Sequence, residues 1–121
     1  MDISIRKTGK VQVIKLRGGL KLGPPVDELR GAFDALLNEG ESRFVFDLAE
    51  VPMADSSGVG LLVRFQTSAK SRGGAVKLVA PAKLVAQTLK ILGLLTVFEV
   101  LDDLNKAVES FATQDAVTPG A

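Results

Sequence analysis

The run Phe44-Val45-Phe46-Asp47-Leu48-Ala49-Glu50-Val51-Pro52-Met53-Ala54-Asp55-Ser56-Ser57-Gly58-Val59-Gly60 changes periodicity halfway along. Its first part, Phe44-Val45-Phe46 closing with Asp47-Leu48, is short, apolar and β-prone without helical spacing, which predicts a buried strand. From Ser56 or Ser57 onward, Val59, Leu62, Phe65 and Ala69 recur on one helix face toward Gly73-Gly74, a stop signal. Val51 to Asp55 is then the loop between them. A buried strand feeding a helix through a short loop is the repeating unit of α/β architecture.

The flanks extend this unit in both directions. Upstream, Ile3 and Ile5, then Val11, Val13, Ile14 and Leu16, predict two strands turning at Gly9-Lys10. A loop holding Gly23-Pro24-Pro25 leads to Val26, Leu29, Phe33, Leu36 and Leu37, the face of a first helix that Gly40 ends. Downstream, Val76-Lys77-Leu78-Val79 predicts a strand. Pro81 can open a helix striped by Leu84, Val85, Leu89 and Leu92 and stopped by Gly93. Val97-Phe98-Glu99-Val100 predicts the last strand, and Leu104, Ala107, Val108 and Phe111 the last helix, entered through Asp102-Asp103. Two strands followed by alternating strand and helix build a sheet with parallel neighbours, here a mixed sheet of five strands with four helices covering it. The expectation is a single domain over residues 1–112 and a flexible tail over 113–121.

Composition removes most alternatives. The 121 residues carry 15 basic and 14 acidic side chains, too even a balance for the basic footprint of direct nucleic-acid binding. With no cysteine and no histidine, thiol chemistry, Ser-His-Asp arrangements and most transition-metal sites lack their reacting groups. No convergent set of Asp, Lys or Ser suggests an enzyme. No cofactor motif of the GxxxxGK[ST] or GxGxxG type occurs. The first residues alternate polar and apolar, unlike a signal peptide, and no stretch is long enough to span a membrane, so the expected setting is cytoplasmic without membrane insertion.

Function in open α/β sheets gathers in loops beyond the carboxyl ends of strands, which singles out Asp47 to Ser57. Ser56 and Ser57 stand where a helix begins, close to free amides and a positive dipole end that favour a phosphate. Gly58 and Gly60 strip bulk from the first turn and would let a partner's backbone or a nucleotide phosphate come close. The plainer reading is that Asp55 or Ser56 caps a helix. Asp47 and Asp55 could together hold Mg²⁺, although strand-end aspartates more commonly bind backbone amides. Leu92-Gly93-Leu94-Leu95 could present Leu94 or Leu95 to a partner, or be core.

The stretch from Asp47 to Gly60 resembles the signature loop of the STAS family, the sulfate-transporter and anti-sigma-factor-antagonist domains. The resemblance extends from Ile3 to Phe111 and includes Val79-Ala80-Pro81 and Leu92-Gly93-Leu94-Leu95-Thr96-Val97-Phe98. It implies helices mainly on one face of the sheet. It also implies a non-enzymatic switch: a serine-kinase anti-sigma factor binds the unphosphorylated protein, releasing a sigma factor, and phosphorylates the first serine after the motif aspartate, here Ser56. A phosphatase resets it. Asp55, Ser57, Gly58, Val59, Lys21 and Leu94 would form the partner-binding surface, and a weak homodimer is compatible with such a module. The alternative within the family is an accessory subunit of a lipid-transporting ABC ATPase complex. Two departures stand out. Gly18-Gly19-Leu20-Lys21 places a lysine where many switch members carry a carboxylate, and Ala54 precedes Asp55 where a bulkier residue is common, with Met53 available to fill that space.

Overall fold

A computed structural model describes residues 1–117, with side chains through residue 112. In chain order the elements are β1 (Asp2–Thr8), β2 (Val11–Arg17), α1 (Pro24–Asn38), β3 (Arg43–Glu50), α2 (Ser56–Ser71), β4 (Ala75–Val79), α3 (Lys83–Ile91), a 3₁₀ turn (Leu94–Thr96), β5 (Glu99–Leu101) and α4 (Leu104–Val117). The sheet runs β1-β2-β3-β4-β5, so strand order in space follows order in the chain. β1 and β2 form the expected antiparallel hairpin; the three later pairings are parallel.

That monotonic order dictates where the helices go. Right-handed crossovers that always step in one direction deliver α1, α2 and α3 to the same face of the sheet. There they bury Val26, Leu29, Phe33, Leu62, Phe65, Val85 and Leu89 against Ile14, Leu16, Phe44, Phe46 and Leu78. α4 follows the last strand and returns beneath the opposite face, where Ala107 and Phe111 meet Val11, Val13, Val45 and Val79. The expected mixed sheet with helices mainly on one face is therefore the observed fold. Phe33 of α1 stacks on Phe65 of α2 with centroids 3.8 Å apart and lies 4.5 Å from Phe44, joining two helices and a strand in one aromatic cluster.

Local differences from the sequence reading have local causes. Pro24 and Pro25 are the first residues of α1 rather than part of the loop, because proline at the first turn forfeits only amides that would be unpaired. Pro81 lies before α3, whose N-cap is Ala82. β5 begins at Glu99, since Leu94 to Thr96 first wind a 3₁₀ turn after the left-handed Gly93. α4 extends to Val117; of the segment expected as a tail, residues 118–121 lie outside the described residues.

One buried polar pair was invisible in the pattern. Gln66, facing inward from α2, donates to the Val97 carbonyl at 2.9 Å and accepts from Val76 N–H at 2.7 Å, tying the entrances of β4 and β5 to the helix. Lys77 is 1% exposed on β4, ion-paired to Glu99 at 3.0 Å, bonded to Ser110 Oγ and seated over the Phe111 ring.

Candidate functional site

The site is built where β2 and β3 stop pairing regularly. Their register shifts between Lys15 and Arg17, then resumes once as an isolated parallel bridge between Leu20 and Ala54. Leu20 N–H donates to the Met53 carbonyl at 3.0 Å, and Asp55 N–H to the Leu20 carbonyl at 3.2 Å. The loop entering α1 is thereby zipped to the loop entering α2. Met53 packs over Gly19, where an added Cβ would lie 3.2 Å from its sulfur.

Asp55 is the N-cap of α2. Its Oδ1 accepts from Gly58 N–H and its Oδ2 from Leu22 N–H, each at 2.9 Å. One carboxylate therefore caps the helix and ties down the neighbouring loop. These amides hold the carboxyl below its ordinary value of 3.8, with the Leu22 N–H the larger cause and the Gly58 N–H next. The sign follows directly. A group whose value is depressed on folding lends stability above its unfolded value and loses it as pH falls through the folded one. Asp55→Asn, which puts an amide NH₂ against one of the two donors, is expected to lower stability near neutral pH and to flatten the decline below about pH 4. Urea midpoints between neutral and acid pH measure this. An acid limb identical to wild type would contradict it. Glu41, lowered by Lys7, and Glu50, lowered by Lys15 and Arg17, retain their own contributions to that limb.

The structure gathers most, not all, of the residues singled out from sequence. Ser56 is the first residue of α2 and is exposed; Ser57 is half-buried. Lys21 is exposed on the zipped loop, between the residue that bridges Ala54 and the one that binds Asp55. Gly58 and Val59 are buried, so they position the helix start and offer no side chain to a partner. The bareness of Gly58 serves the chain's own backbone: an added Cβ would lie 2.2 Å from the Leu20 carbonyl oxygen. Gly60, by contrast, is exposed with open space around it. Leu94 packs against the core beside the far half of α2, near Val97, which Gln66 holds. At 1.5 Å per residue, Gln66 lies about 15 Å along the helix from Ser56, so Leu94 is not part of this corner.

Each of the two aspartates is engaged by backbone amides, Asp55 by Leu22 and Gly58 and Asp47 by Ala49. Asp47 Oδ1 takes the Ala49 N–H at 3.1 Å, and among the described residues no group of three acidic side chains gathers. Sequence reasoning missed Leu22, whose side chain is 73% exposed while its backbone is fixed by Asp55. Only the long-range pairing of Leu20 with Ala54 places it here.

Comparisons with known proteins agree with this architecture. Residues 3–102 match the family model described as "Mlab, STAS domain". A Thermotoga neapolitana protein named as an anti-sigma factor antagonist is 32% identical over 77 residues, 64% of this chain and 68% of the relative. The crystal structure of a Thermotoga maritima protein so named superposes with a TM-score of 0.84 at 24% identity, over 89% of this chain and 92% of that one. SpoIIAA, a Bacillus cell fate determinant solved in its phosphorylated form, gives 0.73 at 20% identity over 91% and 99%. These structural likenesses establish the fold. Among the described residues no helix is long and apolar enough to cross a membrane.

Proposed function

The chain belongs to the STAS domain family, and from this we propose that it is an anti-sigma-factor antagonist whose docking is governed by phosphorylation of Ser56. The observation that carries the proposal is the exposed Ser56 hydroxyl at the start of α2, flanked by the Asp55 carboxylate, the protruding Leu22 and the open surface at Gly60. In the unmodified protein this corner offers an apolar side chain and a bare helix turn to a partner's backbone. A serine-kinase anti-sigma factor docks there and supplies ATP with its Mg²⁺. Ser56 Oγ attacks the γ-phosphorus, its proton passes to a base on the kinase, and ADP departs.

The product adds roughly −1.5 to −2 charges beside Asp55. The Gly58 amide is already held by Asp55, so the phosphate projects outward, where the partner would sit. The helix dipole tolerates the charge, and the fold persists while the docked state is lost. A phosphatase restores the first state.

Incubation with a kinase-type anti-sigma factor and ATP, followed by peptide mass mapping, is expected to place a single phosphate on Ser56 and none on Ser56→Ala. Ser56→Asp is expected to bind that partner at least tenfold more weakly, with an unchanged circular dichroism spectrum; equal affinity would contradict charge repulsion. Leu22→Ala is expected to weaken docking about tenfold, the scale of a truncated interface anchor. Its thermal midpoint should match wild type, because the side chain is 73% exposed. A modified Ser57 in place of Ser56 would move the switch by one residue and overturn the assignment. The second reading, an accessory subunit steadying the ATPase of a lipid transporter, uses the same corner without phosphate; co-purification with an ATPase and permease, with Ser56 unmodified, would favour it.

A further inference from the structure

We propose that the free edge of β1 is a self-association surface on which a second copy of this chain pairs antiparallel, joining two five-stranded sheets through a two-fold axis at Ser4. Among the described residues β1 is an end strand of the sheet, paired with β2 along one side and with no strand along the other. An unpaired strand edge of seven residues is a template for another strand unless charge, proline or a bulge blocks it. Neither proline nor a bulge interrupts Asp2 to Thr8.

The sequence of the edge selects one register. Directly opposed residues in an antiparallel pair carry their side chains on the same face. Centred on Ser4, the pairing sets Asp2 against Arg6 of the second copy, Ile3 against Ile5, and Ser4 against itself, then repeats each contact by symmetry. Opposite charges meet twice and isoleucines meet twice. Shifting the centre to Ile5 sets Ile3 against Lys7, and shifting it to Arg6 sets arginine against arginine; both lose the match.

The faces agree as well. Ile3 and Ile5 lie opposite Leu16 and Ile14, on the side of α1, so the isoleucine pairs extend the existing core; Ile5 is left 42% exposed in the single chain. Asp2, Ser4 and Arg6 lie on the other face, opposite Arg17, Lys15 and Val13. Arg17 and Lys15 are engaged by Glu50, and neither Asp2 nor Arg6 makes an ion pair among the described residues. Both charges are free to meet their counterparts. A dimer of this kind is isologous and closes on itself, and the residues it pairs, Asp2 to Arg6, do not include those of the corner around Ser56. It does not depend on the switch proposed above.

Sedimentation equilibrium of the full chain from micromolar to millimolar concentration is expected to show a monomer–dimer equilibrium. Asp2→Arg and Arg6→Asp each create two like-charge contacts and should weaken it at least tenfold. The double exchange, Asp2→Arg with Arg6→Asp, should restore it to within about threefold. Because the chain has no cysteine, Ser4→Cys gives an independent reading. Its opposed Cα atoms would lie about 4.5–5.5 Å apart, within disulfide reach, and mild oxidation should link two chains. Thr8→Cys, about 27 Å from its symmetry mate at 3.4 Å per residue, should remain unlinked. A monomer at every concentration, a dimer indifferent to the single charge reversals, or equal cross-linking at Thr8 would overturn the proposal. The cysteine pair decides the matter if a charge variant fails to fold.

Discussion

Phe33→Ala is expected to lower the unfolding free energy by about 3–5 kcal/mol, the range for truncating a fully buried phenylalanine. Phe33 has no exposed surface and stacks on Phe65 at 3.8 Å and 14°, with Phe44 at 4.5 Å and Phe46 at 6.3 Å. Its removal opens a cavity lined by three rings held on rigid elements, so little collapse can refill it. The lost ring pairs add to the transfer cost, each worth about 0.5–1.5 kcal/mol. Against a total stability on the order of 5–15 kcal/mol, such a variant keeps only part of its margin. Equilibrium urea unfolding measures the loss. A value below about 1 kcal/mol would mean that the cluster does not join α1 to α2 as described.

Gly58→Ala should cost about 3 kcal/mol by overpacking, although alanine is the better helix former. The added methyl would lie 2.2 Å from the Leu20 carbonyl oxygen and 2.8 Å from Leu20 Cγ. Either α2 or the loop entering α1 must move. Movement of that loop strains the Asp55 to Leu20 bond and the Leu22 amide on Asp55 together. Partner binding should therefore fall along with stability. Gly60→Ala is the contrast, since nothing lies within 4 Å of its added Cβ. At that exposed helical position alanine should stabilise by up to about 1 kcal/mol. Paired unfolding curves for the two variants check both signs; destabilisation of equal size would show that helix propensity and local space had been misjudged.

Much of the fold could be read because its strands and helices follow one another with clean periodicities. The hairpin at Gly9-Lys10, the buried Phe44-Val45-Phe46 strand and the helix from Ser56 all obey local rules, whereas the strand order β1-β2-β3-β4-β5 is set by pairings between separate segments. The corner around Ser56 was legible only in part. Asp55 and Ser56 announce themselves as a helix start. Leu22 does not, because an exposed leucine in a loop carries no signal until Leu20 bridges Ala54. Gly58 was read as room for a partner, whereas the crowding comes from the chain's own Leu20, more than 30 residues away in sequence. Lys77 looked like an ordinary strand residue. Its burial depends on Glu99, Ser110 and the Phe111 ring converging from later elements. In each case the missing information was a contact between distant residues, which no window of neighbouring letters contains.

The seam joining Leu20 to Ala54 and Asp55 has a mechanical consequence. With a carbonyl wedged against Gly58 and one carboxylate gripping both loops, α2 cannot roll or slide without dragging the approach to α1 with it. The two loops behave as a single stiff plate. A visitor that touches only one of them meets both already in place, and forfeits little freedom of its host in settling there.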